Sequence, residues 1–195
     1  MATCVGNDVV DLCLPEIEEH HRRDQFVSRV CTPEERARLG DDPKRMLWTL
    51  FAAKEAAYKV LVKAGHQPGF AHRAIVVSAD LRSVVWGERK LHLAVDANEV
   101  RVHAVAWVGD GAFVSGVEAA SGDLGVDARA FLCRSVAPIL GSSPDTLSVA
   151  RAPDAEAWDG YAPPRLLVAG APAPMDVSLS HDGRFVAFAA AIVAA

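Results

Sequence analysis

The chain has 195 residues, 51% of them hydrophobic, and a formal net charge of −5 at pH 7. That length holds one substantial domain or two small fused units, and that hydrophobic content excludes an intrinsically disordered chain. The acidic balance argues against a nucleic-acid binder, which would carry a basic excess.

The cysteines, Cys4, Cys13, Cys31 and Cys133, are scattered, with no C-x-x-C pair. Zinc ligation is therefore not expected, and free thiols in a reducing cytoplasm are. No basic segment followed by a long apolar run opens the chain, so no signal peptide is expected. The apolar run from Phe185 to Ala195 is too short to span a bilayer, so no membrane partner is expected either.

Residues 4–12 read as a first strand. Asp8 and Asp11 lie among its valines, where a buried strand normally excludes carboxylates. Asp8 is thus either a strand-terminal acid turned to water or a functional group. Residues 15–39 are polar with a helical pattern, and Thr32-Pro33-Glu34-Glu35 is a helix start with a cap, a first-turn proline and first-turn acids. The basic residues between Arg22 and Arg45 form either a solvated mixed-charge face or a docking patch for an acidic partner.

A long helix is predicted over about 43–64, capped by Asp42, with Pro43 in its first position and Gly65 at its C-terminal cap. Phe51, Glu55 and Lys59 fall on one face at i, i+4, i+8. On an isolated helix Glu55 and Lys59 would be a surface ion pair. Strands are predicted over 73–79, 90–96, 100–108 and 112–119 from β-branched content and alternation. Residues 127–140 read as a second helix. The segment 142–174 is rich in proline, which excludes central-strand structure. The chain closes on a hairpin, with Asp182-Gly183 as its turn.

Asp110-Gly-Ala-Phe113-Val114 and Asp182-Gly-Arg-Phe185-Val186 share the form D-G-x-F-V. The match divides the chain into two related α+β halves with a pseudo-twofold relation, 1–120 and 121–195, each a long helix on a small mainly antiparallel sheet. The second helix, Phe131-Leu-Cys-Arg-Ser-Val-Ala, carries no acid, so a single site is expected. The first half would supply the acids, and the second Ser180 and His181.

Asp8 and Glu55 are hard oxygen ligands that suit Mg²⁺, which keeps several waters and often shares phosphate oxygens with a substrate. Mn²⁺ accepts the same set. Lys54, Lys59 and His181 would add donors for phosphate, and Glu55 could take a proton from an incoming hydroxyl. This is phosphoryl-transfer chemistry without a Gly-rich phosphate loop.

Gly6-Asn-Asp8-Val-Val-Asp11, Trp48-Thr-Leu-Phe-Ala-Ala-Lys54-Glu55-Ala-Ala-Tyr-Lys59 and Ser178-Leu-Ser-His181 resemble the signature motifs of the 4′-phosphopantetheinyl transferases. The resemblance implies Mg²⁺-dependent transfer of phosphopantetheine from coenzyme A, the co-substrate, to a serine of an apo acyl or peptidyl carrier protein. Adenosine 3′,5′-bisphosphate is the other product. It further implies Asp8 and Glu55 as metal ligands, with Glu55 the general base. Lys54 and Lys59 would lie on the pyrophosphate and pantetheine side, and Ser180 and His181 on the coenzyme A phosphates.

The chain departs from the surfactin-type pattern at Val10, where those enzymes carry a third acid. Asp11, one residue on, would point to the other side of the strand and is left out of the metal set. The motif order is that of the small holo-acyl-carrier-protein synthases, which trimerise. The length is that of the surfactin type, which implies a permuted pseudo-dimer that works as a monomer. Arg129 and Arg134 are the remaining candidates for the 3′-phosphate. The competing readings are a carrier-binding module without catalysis and another Mg²⁺-dependent phosphotransferase.

Overall fold

The computed structural model describes residues 3–20, 22–68, 72–155, 157 and 160–193. The first half begins with strand β1 (Cys4–Asp11). Three short helices follow, α1 (Pro15–His20), α2 (Asp24–Val30) and α3 (Pro33–Ala37), then the long helix α4 (Pro43–Lys63). Strands β2 (Ile75–Val77), β3 (Ser83–Trp86), β4 (Arg89–Ala97) and β5 (Arg101–Val108) complete it. The second half runs β6 (Phe113–Ala119), α5 (Leu124–Val136), β7 (Leu147–Ala150), β8 (Arg165–Val168), β9 (Ala171–Asp182) and β10 (Phe185–Ile192).

The two sheets are antiparallel and share one topology. Their orders are β1-β5-β4-β3-β2 and β6-β10-β9-β8-β7, so in each the first strand pairs with the last and the helix follows the first strand. The expected α+β architecture of two similar halves is what the chain forms. No helix among the described residues is long and apolar enough to cross a membrane.

Local chemistry sets the helix ends. Thr32 and Glu35 form a reciprocal capping box at α3. The Asp42 side chain accepts from the Arg45 amide at α4, with Pro43 in the first turn. At the far end Gly65 adopts φ +80°, and the His66 amide reaches back to the Leu61 carbonyl. Helix α4 buries Leu47, Leu50, Val60 and Leu61 together with Ala52, Ala53, Ala56 and Ala57. Helix α5 buries Leu132 and Val136 in a second cluster with Val177, Phe188 and Ala190. Each Å² of apolar surface these contacts remove from water contributes ~25 cal/mol.

Several expectations need correction. The strand 113–119 does not close the first half. It pairs with β10, so the second sheet starts some eight residues before the expected boundary at 120. Asp110-Gly111 is therefore a link between sheets, whereas Asp182-Gly183 lies at the β9–β10 hairpin, and the two D-G-x-F-V segments occupy non-equivalent places. The structurally matched pair is instead Gly6-Asn-Asp8 in β1 and Gly116-Val-Glu118 in β6. In both, the glycine abuts the helix of its half.

The proline-rich stretch also contains β7, β8 and the start of β9, the middle strand of its sheet. Pro172 and Pro174 are tolerated because β10 pairs β9 only from Met175 onward, and β8 pairs with a register shift there. The second helix starts at Leu124, capped by Asp123, and ends at Val136, a few residues earlier at each end than predicted. Strand β3 escaped prediction because its four residues sit between turns.

The halves meet where β1 lies along β9. As an edge strand, β1 would leave alternate N–H groups unpaired, which is costly when buried. Side chains of β9 take the place of a neighbouring strand. The Val5 amide donates to Asp176 Oδ2 (2.7 Å), the Asn7 amide to Ser178 Oγ (3.0 Å) and the Asp11 amide to Asp182 Oδ2 (2.8 Å). The offset of 171 residues is constant, so the two strands run parallel in fixed register. Lys63 Nζ closes one end by donating to Val5 O, Val177 O and Asp176 Oδ2. The Arg184–Asp11 ion pair closes the other.

Candidate active site

Gly6 determines how closely β1 approaches α4. A Cβ there would lie 2.2 Å from the Ala56 carbonyl oxygen and 3.0 Å from Lys59 Cβ. With no side chain at this point, strand and helix touch. Two residues on, Asp8 points to the same face of the strand. Lys59 Nζ donates to Asp8 Oδ1 at 3.1 Å and to the Asn7 carbonyl at 2.7 Å. The Asp8 side chain is 16% exposed. Burial pushes its carboxyl up to about 6; Lys59 opposes this, and the negative charges of Glu55 and Asp182 add to it.

Glu55 stands on the same helix face, one turn before Lys59. Its Oε1 lies 2.6 Å from His72 Nε2. An ionised carboxylate can only accept, so His72 is the donor. The imidazole also stacks on Phe51, with ring centroids 5.1 Å apart and an interplanar angle of 22°.

The structure thus brings Asp8, Glu55 and Lys59 together, and it places the other expected residues differently. Lys54 is fully buried, its Nζ donating to Glu35 Oε2 (2.6 Å) and to the Val30 carbonyl (2.7 Å). Consecutive helical residues point ~100° apart, so Lys54 is turned into the core while Glu55 stays partly exposed. Burial lowers its pKa, and the Glu35 carboxylate counters this. Glu35 in turn accepts from the Val77 and Thr32 amides. Lys54 is therefore a tie between α2, α3, β2 and α4, which corrects its expected contact with coenzyme A.

Ser180 is buried, and its hydroxyl accepts from Asn7 Nδ2 at 2.8 Å. It belongs to the row of β9 side chains, Asp176, Ser178, Ser180 and Asp182, that faces β1. In this structure the Ser180 oxygen is engaged in an inter-half hydrogen bond. His181 is exposed, and strand alternation puts it on the opposite face with Val177 and Leu179. Asp11 is fully buried and both its oxygens are taken. Arg184 donates through Nη2, Nε and its backbone amide, and Cys13 through its amide.

In the second half Glu118, the counterpart of Asp8, is paired with Arg134. Arg129 donates to its own helix at Gly125 O. The basic run is partly internal too, since Arg23, Arg36, Lys44 and Arg45 pair with Glu19, Asp24, Glu18 and Asp42. Arg22 and Arg29 are exposed outside these pairs. Reasoning from sequence missed His72. It lies 17 residues from Glu55, beyond any helical or strand spacing, and only the return of the chain after α4 brings it back.

The donor set fits a hard divalent cation. Asp8 and Glu55 supply two carboxylates from adjacent elements, and the Asp8 carboxyl is held high in part by Glu55, a repulsion that a bound cation would relieve. Among the described residues no three His, Cys, Asp or Glu side chains come together as a ligand cluster, so such a cation would keep several waters.

Residues 4–108, more than half of the chain and the whole span from β1 to β5, match the family model described as the 4′-phosphopantetheinyl transferase superfamily. Over 76 residues the chain is 40% identical to a holo-[acyl-carrier-protein] synthase of Solidesulfovibrio magneticus. The match covers 39% of this chain and 61% of that relative's length. A strand acid beside a Lys-Glu helix, the fold that joins them, and this match agree. The chain belongs to the 4′-phosphopantetheinyl transferase superfamily.

Proposed function

We propose that the protein transfers the phosphopantetheine arm of coenzyme A to a serine hydroxyl of an apo acyl or peptidyl carrier protein, with adenosine 3′,5′-bisphosphate as the second product. The observation that carries this reading is the half-buried Asp8 carboxylate set between Lys59 and Glu55, inside the stretch that matches the family. Asp8 and Glu55 would hold Mg²⁺, or Mn²⁺ in its place. Bound there, the cation would supply positive charge to the pyrophosphate.

The chain's own groups divide the remaining work. Glu55 accepts the proton of the carrier serine as its oxygen attacks the phosphorus that bears pantetheine. The bond from that phosphorus to the adenosine bisphosphate breaks, and the leaving phosphate keeps the electron pair. Lys59, fixed by Asn7 O and Asp8, presents its charge to the pyrophosphate. His181, exposed near the end of β9 on the face away from β1, would reach coenzyme A where the cofactor extends past that strand. Arg22 and Arg29 present positive charge to an acidic carrier. The β1 edge is already covered by β9 of the same chain, which supports a site that works in a monomer. The four free thiols suit a cytoplasmic enzyme.

The test is incubation with coenzyme A, Mg²⁺ and several apo carrier proteins, followed by mass measurement of each carrier. A gain of one phosphopantetheine on any carrier, lost in Glu55→Gln with an unchanged melting curve, is the expected result. Binding of carriers without mass gain would overturn the assignment, and full activity of Glu55→Gln would overturn Glu55 as general base and metal ligand while leaving the transferase reading standing.

A further inference from the structure

We propose that His72 is a positioning residue for Glu55, pinning one carboxylate oxygen so that the other is presented to the cation and to the incoming hydroxyl. The inference rests on the transferase reading above. A free glutamate side chain samples many rotamers, and ordering it opposes both cation binding and proton transfer. Here the ordering is built in before any ligand arrives. Oε1 is held by the 2.6 Å hydrogen bond from His72.

His72 is itself held. Its ring stacks on Phe51, four residues before Glu55 on the same helix face. Phe51 packs edge-on against Trp48 (centroids 5.2 Å) and near Phe26 (6.2 Å), so the stack is anchored in an aromatic cluster shared by α2 and α4. The His72 and Glu55 side chains are 22% and 23% exposed, enough shelter for the hydrogen bond to hold its geometry and enough opening for Oε2 to be reached. Carboxylates that ligate metals are commonly oriented by such an outer hydrogen bond, and its loss typically costs ten- to a hundred-fold in affinity or activity.

The experiment compares wild type with His72→Ala, His72→Gln and Phe51→Leu. Mn²⁺ affinity is read by electron paramagnetic resonance of the protein alone, and kcat and KM for coenzyme A are read with a carrier. His72→Ala is expected to weaken Mn²⁺ about ten-fold and to lower kcat more than it raises KM. His72→Gln keeps an N–H donor and is expected to recover most of both. Phe51→Leu keeps the donor but loses the stack and is expected to fall between. Unchanged Mn²⁺ affinity in His72→Ala, or a glutamine variant as impaired as the alanine one, would overturn the proposal while leaving the transferase reading intact. Should His72→Ala not fold, the glutamine and Phe51→Leu variants decide: wild-type Mn²⁺ affinity in Phe51→Leu would overturn the proposal. A wild type that neither binds Mn²⁺ nor modifies any carrier overturns the transferase reading, and this one with it.

Discussion

Replacing Asp8 by asparagine should stabilise the metal-free protein while removing its activity. The Asp8 carboxyl is raised from 3.8 to about 6, first by burial and then by the charges of Glu55 and Asp182, against the pull of Lys59. In the window between these values the folded state keeps a proton that the unfolded chain releases. Stability therefore falls as pH rises through the window and stays low above it. At ~1.4 kcal/mol per pH unit, the ionised Asp8 costs the folded protein about 3 kcal/mol above pH 6. Asparagine keeps an oxygen for Lys59 and carries no charge, so it removes that cost. Urea unfolding in EDTA should show Asp8→Asn more stable than wild type by about 3 kcal/mol at pH 8, by about half of that at pH 5, and nearly equal to it at pH 4. Saturating Mg²⁺ should narrow the gap at pH 8, because only wild type gains from binding. A destabilised Asp8→Asn at pH 8, or a gain independent of pH, would refute the reasoning.

Three more outcomes are expected. Lys54→Met should cost ~3–5 kcal/mol in urea unfolding, because it leaves Glu35 buried without its partner, yet leave KM for coenzyme A within about two-fold of wild type. A stable Lys54→Met with a raised KM would return Lys54 to the cofactor. Arg184→Ala should cost about 3 kcal/mol, near the lower end for a broken buried pair because Arg184 itself is more than half exposed while Asp11 is fully buried. Unchanged unfolding would show that the inter-half clamp contributes nothing. Light scattering should give a monomer, since β9 already covers the β1 edge within one chain, and a trimer would contradict that assembly.

The lesson for reading such a chain lies in particular residues. The capping of α4 by Asp42, Pro43 and Gly65 was legible because those signals act within a few residues of each helix end. The shared face of Phe51, Glu55 and Lys59 was legible from helical period alone. The turn at Asp182-Gly183 followed from local backbone preference. Strand alternation in 4–11 put Asp8 and Asp11 on different sides, and the structure seats them against different partners, Lys59 and Arg184.

What the sequence by itself determined about this protein was therefore the local frame: which helix carries the acid and the lysines, where it starts and stops, and which strand supplies the second acid. The tertiary structure alone decided what each of those groups touches. Lys54 and Glu55 are neighbours in sequence, and only the position of Glu35 sends one amine into the core while its neighbour meets His72 at a partly exposed position. Likewise Phe113–Ala119 reads as a strand in either half, and only its hydrogen bonds to β10 assign it to the second. Nothing in the Ser-Leu-Ser-His segment announces that Ser178 and Ser180 bond Asn7; that follows only when β1 is laid beside them at a separation of about 171 residues. Caps and periodicity act over a few residues and leave a trace in sequence order. Pairing across that distance is chosen by the total burial and hydrogen bonding of the folded chain, to which no single segment holds the key.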